Sequence, residues 1–263
     1  MPKTAKPRRK VVVKKLIPLE EQVTDKSPYI AQRDKFNGTL RIRELPWTQK
    51  QKEIISLFMD KGTKALFLKG PAGTGKTLIT VYCGLQLLNK KTVSDMVLVR
   101  AAVESSDSRL GFLPGTVEDK MGVYMAPYTA KMEELLTRPD IAALENDSRV
   151  TPCPINYARG LHFAAKFVCI DEAQDMTRKE LHTMISRIGE FSKVFICGDP
   201  EQCDLPYGKS GYNEVYDLFN NEESREHGIH CIELTEDDIV RSEFCKFITM
   251  KFKELNKPTL RMS

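Results

Sequence analysis

The stretch that most restricts this chain is Gly70-Pro71-Ala72-Gly73-Thr74-Gly75-Lys76-Thr77, set between an apolar run at 65–68 and a segment rich in Leu and Val. Its glycines let the backbone turn until successive N–H groups point inward, and a helix starting directly behind adds the partial positive charge of its N-terminus. Such a loop is suited to wrapping a polyphosphate. Lys76 is placed to meet the β- and γ-phosphates, and the Thr77 hydroxyl to join the shell of a Mg2+ ion. Glycines also mark ordinary turns, but the Lys-Thr pair and the strand-then-helix flanks separate this octapeptide from one.

The rest of the chain must supply a sheet that can hold such a loop. Apolar runs of strand length at 65–68, 96–100, 167–170, 193–197 and 230–234 alternate with helical patterns at 49–60, 77–89, 116–136, 178–188, 211–220 and 242–255. Continuous rather than alternating apolar residues suit strands buried on both faces. The expected fold class is therefore α/β, with a doubly wound parallel sheet. At 263 residues the chain is long enough for one sizeable core. Residues 45–255 are read as that single domain, 1–44 as a basic, flexible tail and 256–263 as a C-terminal tail. The segment 138–166, with Pro139, Pro152 and Pro154, reads as an insertion or loop on the ligand-facing side. The stripe of Met121, Tyr124, Met125 and Tyr128 has helical spacing and reads as core.

A second chemical signal follows the run at 167–170. Asp171 and Glu172 sit at the C-terminal lip of a buried strand, where open parallel sheets bind their ligands. Asp171 is expected to hold Mg2+, and Glu172 to orient and deprotonate an attacking water. Alone, the pair would read as a solvated turn; behind a phosphate loop it reads as hydrolytic.

Composition narrows the setting. The seven cysteines are scattered without a CxxC pair, as suits a reducing compartment, and no apolar stretch approaches the ~20 residues that span a bilayer. A cytoplasmic protein without a membrane partner is expected. The net charge of +4 comes from Lys3, Lys6, Arg8, Arg9, Lys10, Lys14 and Lys15; in the remainder acids outnumber bases. The body thus lacks the general basicity of a protein that coats nucleic acid, while the tail could hold a polymer by phosphate attraction. His227, His230 and Cys231 lie close together, but no second ligand cluster stands at zinc-like spacing.

Beyond these residues the reading rests on resemblance. Gly198-Asp199-Pro200-Glu201-Gln202 matches the γ-phosphate-sensing element of superfamily 1 helicases, which makes Gln202 the candidate sensor. Thr48-Gln49-Lys50-Gln51 resembles the adenine-reading Q motif of the same helicases; Gln51 would bond the adenine edge or be an ordinary helix glutamine. The phosphate loop, Val99-Arg100-Ala101-Ala102-Val103-Glu104, Leu110-Gly111-Phe112-Leu113-Pro114-Gly115, Tyr157-Ala158-Arg159-Gly160, Ile170-Asp171-Glu172-Ala173-Gln174-Asp175, the 198–202 element and Asp238-Ile239-Val240-Arg241 occur in the order seen in PhoH-like proteins. Over 45–250 the chain resembles that family, which occurs in bacteria and their phages. It departs at Ala101, where the family commonly has Pro.

The resemblance implies one RecA-like P-loop NTPase domain that uses ATP and Mg2+ and couples hydrolysis to RNA or single-stranded DNA, in a bacterial cell or a phage-infected host. Some relatives carry a PIN nuclease domain before the ATPase; 1–44 is too short and acid-poor for one, so no nuclease activity is expected. Superfamily 1 helicases close their ATP site between two such domains, so a single domain predicts a homo-oligomer, with a hexameric ring as the expected form. Arg241 and then Arg178 are the candidates for the arginine finger or sensor, with an ordinary surface ion pair as the competing reading. Two other functions stay open: an ATP-controlled assembly module acting on a protein partner, and a small-molecule kinase, which would leave 171–174 and 198–202 as coincidences.

Overall fold

The computed structural model describes residues 36–101, 117–155, 158 and 160–256. Strands β1 (Ala65–Lys69), β2 (Asp95–Arg100), β3 (Val150–Pro152), β4 (Lys166–Asp171), β5 (Lys193–Gly198) and β6 (Ile229–Glu233) form one sheet in the order β3-β2-β4-β5-β1-β6, and every pair is parallel. Successive residues of the central strands face opposite ways, so one sheet feeds two cores. Leu66, Leu68, Leu98, Phe167, Cys169, Phe195 and Cys197 enter the first, and Phe67, Val97, Val99, Val168, Ile170, Val194 and Ile196 the second. That is why these strands read as unbroken apolar runs.

Helices cover both faces. From α1 (Gln49–Met59), α2 (Lys76–Asn89), α3 (Val117–Leu135) and α4 (Arg138–Asn146) come Ile54, Phe58, Leu85, Tyr128 and Ile141 of the first core. From α5 (Arg178–Ile185) and α6 (Tyr212–Phe219) come Leu181, Met184, Tyr212 and Tyr216 of the second. A short α7 (Glu222–Glu226) leads into β6, and α8 (Glu243–Asn256) ends the described chain. The sheet is doubly wound, as the sequence predicts. Its order puts β5 between β1 and β4, so the loops leaving these three strands stand side by side on one edge.

Two expectations need correction. The segment 138–166 is not one loop, because it contains α4 and the edge strand β3, which pairs with β2 from Met96↔Val150 to Leu98↔Pro152. Pro139 lies in the first turn of α4, where a missing N–H breaks no bond, and Pro152 ends an edge strand, so neither proline interrupts an element. The body also begins earlier than 45. Phe36 and Leu40 are buried in the first core, and Asn89 at the end of α2 clamps Leu40, accepting from its N–H at 2.8 Å and donating to its carbonyl at 3.2 Å. Residues 110–115 and 256–263, apart from Asn256 at the end of α8, lie outside the described residues, as do Val103, Glu104, Tyr157 and Arg159. Of the 121–128 stripe, Tyr128 is buried and Met125 packs on the same core. Among the described residues no helix is long and apolar enough to cross a membrane.

Candidate active site

The phosphate loop leaves β1 at Gly70, whose N–H donates to the Gly198 carbonyl at 3.2 Å, and closes at Lys76, the first residue of α2. Gly73 and Gly75 have φ of 86° and 85°, the left-handed region where a side chain is strained. Thr74 Oγ1 donates to the Pro71 carbonyl at 2.9 Å and pins the turn. Lys76 Nζ curls back onto the carbonyls of Gly70 and Pro71 at 2.6 and 2.9 Å, which places its charge at the mouth of the loop.

Thr77 Oγ1 donates to Asp171 Oδ2 at 3.1 Å, which joins the start of α2 to the end of β4. Asp171 is 4% exposed. Burial, and then the charge of Glu172, push its carboxyl up to about 6, against the opposing pull of Arg100, the Thr77 hydroxyl and the Glu172 N–H. A hydroxyl and a buried carboxylate, both hard oxygen donors, fit Mg2+, which keeps most of its shell for phosphate and water; a dication there would also offset the buried negative charge.

Glu172 has left-handed backbone angles, φ 52° and ψ 44°, at the entry to a short helical turn, Ala173–Asp175. Its Oε1 lies 3.2 Å from Arg100 Nη2, and its Oε2 accepts from Gln174 Nε2 at 2.9 Å. Gln174, 1% exposed, also accepts from the Asp199 N–H at 2.9 Å. One carboxamide thus bridges the loop after β4 and the loop after β5. The sequence reading gave Gln174 no role, although it completes the Asp-Glu-Ala-Gln run. Asp199 is buried and accepts from Gln202 Nε2 at 2.5 Å, so Gln202, itself exposed, is tethered beside the acidic pair.

Gln51 is 5% exposed and sits beneath the phosphate loop. Its Nε2 donates to the Thr74 carbonyl at 3.1 Å, and its Oε1 accepts from the Thr48 N–H at 3.0 Å in a capping box at the start of α1. It braces the loop through both ends of its carboxamide. Close by, the Val240 N–H donates to the Gly73 carbonyl at 3.0 Å, and Lys50 pairs with Asp238 at 3.4 Å. Arg178 is 78% exposed and lies 3.8 Å from Glu214.

The residues that build this site fall within the range matched by a known family. The model for PhoH-like protein matches residues 44–253. The chain belongs to the PhoH-like family. A PhoH-like protein of Mycobacterium tuberculosis is 33% identical over 214 residues, covering 81% of this chain and 59% of that protein. Protein PhoH of Escherichia coli is 32% identical over 190 residues, covering 69% of this chain and 51% of that protein. The chain therefore spans roughly half to three fifths of these relatives' length. Among solved structures, the large terminase from a thermophilic bacteriophage superposes with a TM-score of 0.52 at 10% identity, over 82% of this chain and 52% of that one, a likeness of fold. This PhoH-like chain accordingly has an α/β fold with a phosphate-binding loop at the sheet edge. Of the family-specific residues, Arg241 falls where the fold gives it a clear position: its Cγ and Cδ lie 3.3 and 3.2 Å from where a side chain at Gly73 would begin.

Proposed function

We propose that this PhoH-like chain binds ATP with Mg2+, hydrolyses it to ADP and phosphate, and couples that turnover to RNA or single-stranded DNA. The observation that carries the hydrolytic half is the 3.1 Å contact between Thr77 and Asp171, with Glu172 as the next residue. It brings a phosphate loop, a metal-binding pair and a general base to one point of the sheet edge. The N–H groups of residues 70–77 and the Lys76 ammonium would hold the β- and γ-phosphates, with Thr77 and Asp171 as the Mg2+ ligands. The bound ion supplies charge neutralisation at the phosphates. Glu172 takes a proton from a water whose oxygen forms the new bond to the γ-phosphorus, while the bond from that phosphorus to the bridging oxygen breaks and ADP leaves with the electron pair.

Gln202, tethered to Asp199 and through it to Gln174, is assigned to sensing the γ-phosphate. Gln51 is assigned to loop support, in preference to reading the adenine. Arg241 lies on its own chain's loop, which favours a sensor role in the same subunit over a finger reaching into a neighbour. The homo-oligomer, ring-shaped and of six subunits, stays part of this reading. It is supported by α8, which starts two residues after Arg241 and exposes Phe244, Phe247 and Phe252, an apolar surface of the kind that assembly buries. The polymer half rests on the shared order of motifs. Phosphate release measured with and without single-stranded RNA and DNA tests it: stimulation supports a nucleic-acid motor, whereas unstimulated turnover that needs Glu172 favours the ATP-controlled assembly module.

A further inference from the structure

Glu172 is held from both sides. Gln174 cannot turn away without leaving the buried Asp199 N–H unpaired, so that side of the clamp is fixed. Arg100 is freer. It is the last residue of β2, in register with Asp171, and its side chain is 33% exposed. The sheet order sets β2 on the side of β4 away from β5 and β1, so Arg100 reaches Glu172 from the flank opposite the phosphate loop. A ligand could meet this guanidinium without entering the nucleotide site. The left-handed backbone at Glu172 is a conformation that a residue with a side chain adopts only when its surroundings impose it. A carboxylate with both oxygens committed to donors is also a poorer proton acceptor than one facing its water.

We propose that Arg100 is a positioning residue that restrains Glu172, and that the phosphodiester backbone of a single-stranded nucleic acid relieves the restraint by pairing with the exposed guanidinium. The proposal rests on the reading of Glu172 as the base of ATP hydrolysis. A guanidinium that holds a carboxylate through one contact, as Arg100 holds Glu172, can pair with a phosphate through two, so the two anions compete for it directly. Polymer on the β2 flank and nucleotide on the β1 flank would then act on one side chain between them.

The test is steady-state turnover at saturating Mg-ATP for the wild type, Arg100→Gln and Glu172→Gln, each with and without oligouridylate or oligothymidylate. Measurements are made at the same pH for every protein. In Arg100→Gln the polymer-free kcat should rise about fivefold, the response to polymer should be lost, and KM for ATP and Tm should not change. Lower polymer-free kcat would overturn the proposal, because Arg100 would then be needed to orient the base. A raised kcat with undiminished stimulation, or a wild type that no polymer stimulates, would overturn it as well. Turnover in Glu172→Gln within about tenfold of the wild type would instead overturn the reading beneath it. If Arg100→Gln lowers Tm, Arg100→Met is read by the same criteria, since it removes the charge and its donors while keeping the apolar stem.

Discussion

At the residue scale the account depends on two neighbouring carboxylates with different duties. Replacing Glu172 by Gln keeps the shape and hydrogen-bonding capacity of the side chain but removes the base. It should lower kcat by about 10²- to 10⁴-fold while leaving ATP binding intact, as measured by turnover beside nucleotide titration. Asp171 makes the opposite kind of prediction. Its carboxyl is raised to about 6 in the folded protein, so the metal-free fold carries a penalty that builds between the ordinary value of about 4 and about 6, is full above that, and is lost as the pH falls back through this window. Asp171→Asn should therefore raise Tm of the metal-free protein near pH 8, by about 2–4 °C for each kcal/mol recovered. The difference should vanish below about pH 4, where the carboxyl is protonated in the folded and the unfolded chain alike. The same variant should lose the added stability that Mg-ATP gives the wild type.

At the element scale, the strands and most helices were legible because burial on both faces leaves unbroken apolar runs at 65–68, 96–100, 167–170 and 193–197. β3 was not legible, since three edge residues ending in Pro152 carry no such run, and Pro139 hid α4. Residues 36–44 were assigned to the tail because Phe36 and Leu40 are isolated apolar residues in a polar stretch; only tertiary contact makes them core. Phe36→Ala should cost about 3 kcal/mol and Leu40→Ala about 2–4 kcal/mol in denaturant unfolding. A cost near zero would return this segment to the tail. Gln51 also belongs to this scale, because it joins the start of α1 to the phosphate loop. Gln51→Ala should lower stability by about 1 kcal/mol through the lost capping box, and raise KM for ATP and GTP alike. A selective loss of ATP over GTP would give it the adenine-reading role instead.

At the scale of the whole molecule, the phosphate loop and the acidic pair could be named from the sequence because their chemistry is local: a few residues in a row, each in a strand-to-helix context. The links between them could not. The Gln174 bridge to Asp199, the Arg100 contact with Glu172 and the seating of Arg241 against Gly73 depend on which strands are neighbours, and that order is not written in any one segment. Assembly belongs to this scale too. Phe244→Ser with Phe247→Ser should reduce the sedimenting mass of the protein if α8 packs between copies, whereas an unchanged mass would place the contact elsewhere. The most direct measurement is phosphate release from Mg-ATP, with and without single-stranded RNA and DNA, using Glu172→Gln as the blank. The account predicts turnover that one of these polymers increases and that the substitution lowers by about 10²-fold or more. Release in Glu172→Gln at close to the wild-type rate, or none from the wild type under any condition, would contradict it.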